Sequence, residues 1–207
     1  MKKGAVILLL ILFLAPALLN AQIKLSIGPV GGVNYNSHSI SSISQTATGI
    51  GFFGGAQAEL EFLSSIGVIA NVTYDSKYGK YSTTSTGLTQ NLEYKFSYLS
   101  IDLLLKYKPF FTGLYFVAGP TLAFNLSSKA VNNYTIWGAP GNLTSDIENP
   151  QTLFGIKAGA GFDISIPKLV DISPYVIAGY YFTNAFQDAD WKIFSVQAGC
   201  YFKFTIL

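Results

Sequence analysis

The stretch that decides the architecture is Phe154-Gly155-Ile156-Lys157-Ala158-Gly159-Ala160-Gly161-Phe162-Asp163-Ile164-Ser165-Ile166. Every even-numbered residue in it is apolar, while the odd positions hold only glycine, lysine, aspartate and serine. Side chains of a β-strand point alternately to its two faces, so this segment presents one greasy face and one wet face. The same two-residue period recurs about eight times along the chain, which is the pattern of a closed antiparallel barrel.

Working outward, the first strand is expected over 23–35, with Ile23, Leu25, Ile27, Val33 and Tyr35 on one face. The second carries Ile50, Phe52, Ala56, Ala58, Leu60 and Phe62, and the third Val68, Ala70, Val72 and Tyr74. The fourth breaks its parity: Leu92, Tyr94, Phe96 and Tyr98 are even, whereas Leu99, Ile101, Leu103, Leu105 and Tyr107 are odd. A β-bulge between Tyr98 and Leu99 restores the facing, or the strand proper starts near Tyr98. The fifth strand sets Leu114, Phe116, Ala118, Leu122, Phe124 and Leu126 outward, and the quoted stretch is the sixth. The seventh covers about 172–183, with aromatics on both faces, and the eighth 191–206, with Val196, Ala198, Cys200, Phe202, Phe204 and Ile206 on the apolar side.

Polar stretches at 36–48, 76–90, 127–152 and 184–190 read as long loops, and the turns between them are short. Long loops outside and short turns in the periplasm put both termini on the periplasmic side. Residues 1–21 have the form of an export signal, with Lys2 and Lys3, an apolar run over 5–14, and Leu19-Asn20-Ala21 as a cleavage site. The barrel domain then fills 22–207. Half the residues are hydrophobic and 12% are charged. Removing Lys2 and Lys3 lowers the basic count from 13 to 11 against 11 acids, and arginine is absent. A neutral chain without arginine gives nucleic-acid binding no support.

Alternation alone also fits a soluble lipocalin-like carrier, which keeps apolar side chains inside. The distribution of charge separates the two. The apolar face of each strand carries no Lys, Asp or Glu, as a lipid-facing surface requires, because a lysine at the bilayer midplane costs about 2–4 kcal/mol. The opposite face holds Lys24, Glu59, Glu61, Asp102, Lys106, Lys157, Asp163 and Lys203. Eight strands leave an interior just wide enough for side chains to fill. The expectation is therefore an all-β, eight-stranded antiparallel up-and-down transmembrane β-barrel. Its filled polar interior is an ionic and hydrogen-bonded network in place of a hydrophobic core.

The catalytic motifs are weak. Gly155, Gly159 and Gly161 sit in a strand with no helix after them, unlike a phosphate-binding loop. His38, the only histidine, is expected in a polar loop without carboxylate or cysteine neighbours, so neither a metal site nor a hydrolase triad is supported. A lipid-modifying enzyme with a site at the rim would need His38. Glu59 and Glu61 share a face and are expected to serve as lysine partners. Four Asn-x-Ser/Thr triplets, at Asn71, Asn125, Asn133 and Asn142, carry no glycan implication for a bacterial outer-membrane protein. Cys200, the only cysteine, reads as a small lipid-facing side chain. Tyr94, Tyr98, Tyr107, Phe110, Phe111, Tyr180, Phe182, Trp191 and Phe202 are expected as an interfacial girdle. No cofactor is expected.

The segments 98–107 (YLSIDLLLKY), 115–120 (YFVAGP) and 155–161 (GIKAGAG) resemble the PorT-like outer-membrane β-barrel family of Bacteroidota. Relatives often carry proline where Asp102 stands, and outer-membrane barrels usually end in an aromatic residue, whereas this chain ends Phe204-Thr205-Ile206-Leu207. The resemblance implies a small outer-membrane barrel and brings no catalytic residues; the uncharged apolar face and the alternation of long and short connections make the expected protein a non-enzymatic barrel, filled and not an open porin. Its expected partners are outer-membrane lipid and, through the four long loops, other envelope proteins.

Overall fold

The computed structural model describes residues 23–40, 45–63, 65–109, 113–147, 149–166, 170–187 and 190–206. The export signal at 1–21, Phe110 and Phe111 of the girdle, and the Pro167-Lys168 turn lie outside the described residues.

The strands are β1 (Lys24–Ile40), β2 (Gln45–Leu63), β3 (Ile66–Ser85), β4 (Leu88–Tyr107), β5 (Leu114–Ile136), β6 (Ala139–Asp146), β7 (Leu153–Phe162), β8 (Ile164–Ile166), β9 (Val170–Tyr181) and β10 (Trp191–Thr205). Pairing runs β10-β1-β2-β3-β4-β5-β7-β9, and β9 pairs β10 to close the ring. All the pairings are antiparallel. The eight-stranded ring thus counts β7 and β8 as one strand, interrupted at Asp163, and β6 lies outside it, paired to β5.

The ring's exterior is apolar. Ile27, Val33, Tyr35, Phe52, Val72, Leu103, Leu105, Phe116, Phe154, Ile156, Val176, Phe194 and Phe204 all face outward and are exposed. Among the described residues no Lys, Asp or Glu interrupts the outward positions 25–35, 50–60, 66–74, 99–107, 114–126, 154–166, 172–182 or 194–206. From Leu99 to Tyr107 the outward face spans about 26 Å of strand, which at the usual tilt covers about 20 Å of a ~25 Å apolar band. Acyl chains, not water, are the solvent that such a surface fits, so the soluble-carrier reading fails.

Three of the expected loops are strand. β3 and β4 form one continuous hairpin through Thr86-Gly87, where Gly87 takes φ +77°. β5 and β6 form another through Trp137 (φ 48°) and Gly138 (φ 87°), both in the left-handed region that a type I′ turn needs. β1 and β2 likewise pair as far as Ile40 and Gln45. Serine, threonine and asparagine made these stretches look loop-like, but cross-strand partners bond them: Ser82 Oγ donates to Asn91 Oδ1 at 2.6 Å, and Asn142 Nδ2 to Asn133 Oδ1 at 2.5 Å. Together β3–β6 make a four-stranded blade that continues past the ring. From Ser97 to Leu88 it rises about 30 Å along the strand.

The parity break also falls elsewhere. β4 runs unbroken, and Ser97 and Tyr98 pair with Ser127 and Asn125, so Leu126 of β5 is the extra residue. Tyr94, Phe96 and Tyr98 consequently point inward and are buried, as is Trp191. These are interior residues, and Tyr94, Tyr98 and Trp191 do not belong to the girdle. Tyr107, Tyr180, Phe182 and Phe202 do face outward. The physical reason is a change of solvent. Beyond the apolar band the outside meets water, so Glu93, Lys95 and Ser97 face out and the aromatics turn in.

Leu103, 54% exposed in the middle of the outward face, tests the lipid assignment. Leu103→Lys is expected to lower folding stability in phospholipid vesicles by about 2–4 kcal/mol, and Tyr107→Lys at the band's edge by about 1 kcal/mol or less. Reversible urea unfolding measures both.

Candidate functional site

The candidate site is the packed lumen together with the blade. At the short-turn end, Lys106 of β4 lies against Glu59 of β2 and reaches Asp163 at 2.7 Å and Glu61 at 3.3 Å. Lys203 of β10 donates to Asp163 at 2.7 Å and Glu59 at 3.0 Å. Lys108 joins Glu61 and reaches Asp163 at 2.9 Å. Three carboxylates therefore meet three ammonium groups. Asp163 also accepts from Ser173 Oγ at 2.6 Å, and Lys106 sits 4.4 Å from the centre of the Tyr115 ring.

A second group lies further along the lumen. Lys157 donates to Asp102 at 2.9 Å and to Gln197 Oε1 at 3.2 Å, while Thr121 donates to Asp102 at 2.6 Å. Gln197 Nε2 reaches Asp75 at 3.3 Å, which links this pair to the next. Asp75 accepts from Lys77 at 2.6 Å and from Asn34 at 2.5 Å, and Lys77 lies 4.8 Å from the Tyr181 ring centre. Lys24 pairs with Asp171 at 2.7 Å and is the most exposed lysine of the set.

All eight residues expected on the wet face point inward. Glu59, Glu61, Lys106, Asp163 and Lys203 come together, Asp102 and Lys157 form a pair of their own, and Lys24 sits apart at the rim. Sequence reasoning missed Asp75, Lys77, Lys108 and Asp171 as members. Asp75 carried the signal, because it shares the polar parity of Asn71 and Thr73. Lys77 was hidden by assigning 76–90 to a loop.

Ions do not fill the lumen alone. One apolar cluster contains Val30, Phe53, Ile69, Leu104, Tyr115, Val117, Tyr175, Ile177 and Tyr201. Another, at the hairpin end, gathers Ile40, Tyr94, Phe96, Tyr98, Leu153, Tyr181, Phe186, Trp191 and Ile193. The expectation of ions in place of a hydrophobic core is therefore corrected: polar and apolar groups share the interior. The β9–β10 connection tucks Ala185 and Phe186 into the second cluster, held by Gln151 N–H to Ala185 O at 2.9 Å and by the Pro150–Phe186 bridge.

His38 belongs to this apolar end. It lies within β1, fully buried, and accepts from Trp191 Nε1 at Nδ1 over 3.2 Å, with the Phe96 ring 5.6 Å away. The expected loop position is overturned because β1 extends to Ile40 and its even residues face inward. The oxygens of Glu59, Glu61 and Asp163 approach within 4.8 Å of one another, as a metal's ligands would. Lys106, Lys108 and Lys203 already neutralise them.

A closed antiparallel ring with an uncharged apolar exterior and a packed, charge-paired lumen defines an integral membrane β-barrel. A family model described as outer membrane protein beta-barrel domain matches residues 20–176. The chain belongs to that family, and its place is the bacterial outer membrane. Similar solved structures include the attachment invasion locus protein Ail of Yersinia pestis, at 15% identity over 86% of this chain and 98% of that one, with TM-score 0.45. Ail in complex with the heparin analogue sucrose octasulfate gives 14%, 87%, 99% and 0.47. Neisserial surface protein A gives 14%, 87%, 97% and 0.44. No curated protein matches the chain.

Breaking a buried pair from one side should cost far more than removing both partners. Asp102→Asn, which strands Lys157, is expected to destabilise by about 3–5 kcal/mol. The double variant Asp102→Asn/Lys157→Met should recover much of that loss, as read from urea unfolding in vesicles.

Proposed function

We propose that this protein is a closed, non-enzymatic outer-membrane barrel whose blade, formed by β3–β6, meets partners outside the cell. The observation that carries the reading is the contrast between its two parts. The lumen is filled by ion pairs and two apolar clusters, whereas the blade projects beyond the apolar band with Ile136, Trp137 and Leu143 exposed. Long hairpins outside and short turns in the periplasm follow the usual arrangement of bacterial barrels and put both ends of the barrel domain in the periplasm.

The burial of His38 supports a non-enzymatic role, since a rim enzyme would need that imidazole open to lipid. The segments 98–107, 115–120 and 155–161 support membership of the PorT-like branch.

Planar-bilayer recordings of the purified protein should show no stable porin-sized steps, and such steps would contradict a filled lumen. Protease added to intact cells should cut at 86–87 and 137–138. Cuts confined to the short turns would reverse the topology.

A further inference from the structure

The blade's outer face carries a row of three amides. Asn91, Asn133 and Asn142 are direct cross-strand partners on β4, β5 and β6. Alternation puts Thr135 and Pro140 on the same face, one rung nearer the tip, and these five side chains line a shallow cavity of about 370 Å³. Tyr134 and Gly141 contribute backbone to it, their own faces being turned away.

The amides are held in place by their neighbours. Ser82 donates to Asn91 Oδ1, Asn142 donates to Asn133 Oδ1, and Thr144 reaches Asn142 Oδ1 at 3.5 Å. One lone pair of each carboxamide oxygen is thereby used, which fixes the amide orientation and leaves the N–H groups: two on Asn91, two on Asn133 and one on Asn142. The row thus offers a line of donors, spaced by the strand repeat of about 4.8 Å, which is close to the length of one pyranose unit.

We infer that this face binds a neutral oligosaccharide, whose hydroxyl and ring oxygens accept from successive asparagines. No charged side chain lines the cavity. On the same face, the next rung toward the ring holds Lys80 opposite Glu93, and the one after it holds Lys95, Lys129 and Asp146. Glu93 is paired with Lys95 at 3.4 Å. The signs are mixed and leave no cationic seat for a sulfated or sialylated chain. The inference rests on the blade being the part that meets partners.

The probes are maltohexaose, mannohexaose and chitohexaose, with 3′-sialyllactose and dextran sulfate as charged counterparts, presented to the full chain in nanodiscs. At least one neutral hexasaccharide should bind in preference to the charged probes. Asn133→Ala should weaken that binding about tenfold, the loss of one or two hydrogen bonds. Gln90→Ala, on the opposite face, should leave it unchanged, with circular dichroism and heat-modifiable gel mobility reporting an intact barrel in both variants. Sugar that co-purifies with the wild type and is lost from Asn133→Ala identifies the cell's own surface glycolipid as the source. Binding of an added neutral hexasaccharide without co-purified sugar identifies a glycan from outside.

Preference for the charged probes, binding that Asn133→Ala does not alter, or no neutral binding with no retained sugar would each overturn the inference. So would capture of extended peptides along β6 alone. Nanodiscs expose both ends of the barrel, so this result is independent of which end faces outward on cells.

Discussion

Charge pairing inside a ring of lipid-facing strands is the constraint on which the rest of the structure depends. Six lysines (Lys24, Lys77, Lys106, Lys108, Lys157 and Lys203) pair within the lumen or at its rim with six carboxylates (Glu59, Glu61, Asp75, Asp102, Asp163 and Asp171). Taking such groups out of water is tolerable only when each is paired and hydrogen-bonded. The pairings cross between β1 and β9, between β4 and β7, and among β2, β4 and β10, so removing one strand would leave charges on others without partners. The lipid outside enforces the same parity, because a one-residue slip would turn lysines toward acyl chains.

The lumen and the blade obey one rule under two solvents. Within the apolar band, hydrophobic side chains face out and ions face in. Beyond it the exterior is water, so Lys95 and Glu93 face out while Tyr94, Phe96 and Trp191 pack together inside, with Phe186 closing over them. Leu126, the extra residue of β5, lies near this transition and lets β5 change facing while β4 runs straight. Rings and ion pairs fill the barrel's interior, and the blade continues its wall beyond the apolar band.

The fold was largely legible in the sequence, because lipid on one side and ions on the other make the two-residue period unusually clean. Six of the eight apolar faces could be read from alternation alone; the fourth strand breaks its parity and the seventh carries aromatics on both faces. The β4 aromatics escape alternation because apolar character implies lipid contact only within the band, and past it the same side chains pack inside. The polar stretches at 76–90 and 127–152 were misread because their strands are stabilised by cross-strand amide and hydroxyl bonds, and those become visible only once the register is known. Asp75 could have been added to the charged set from its parity with Thr73, whereas the burial of His38 required knowing that β1 reaches Ile40.

Electron paramagnetic resonance of nitroxide labels placed singly at positions 99–106, in a Cys200→Ser background, measures the solvent assignment directly. With lipid outside and ions within, collision with dissolved oxygen should oscillate with a period of two, high at 99, 101, 103 and 105 and low at 100, 102, 104 and 106. A reversed phase, or no oscillation at all, would contradict it.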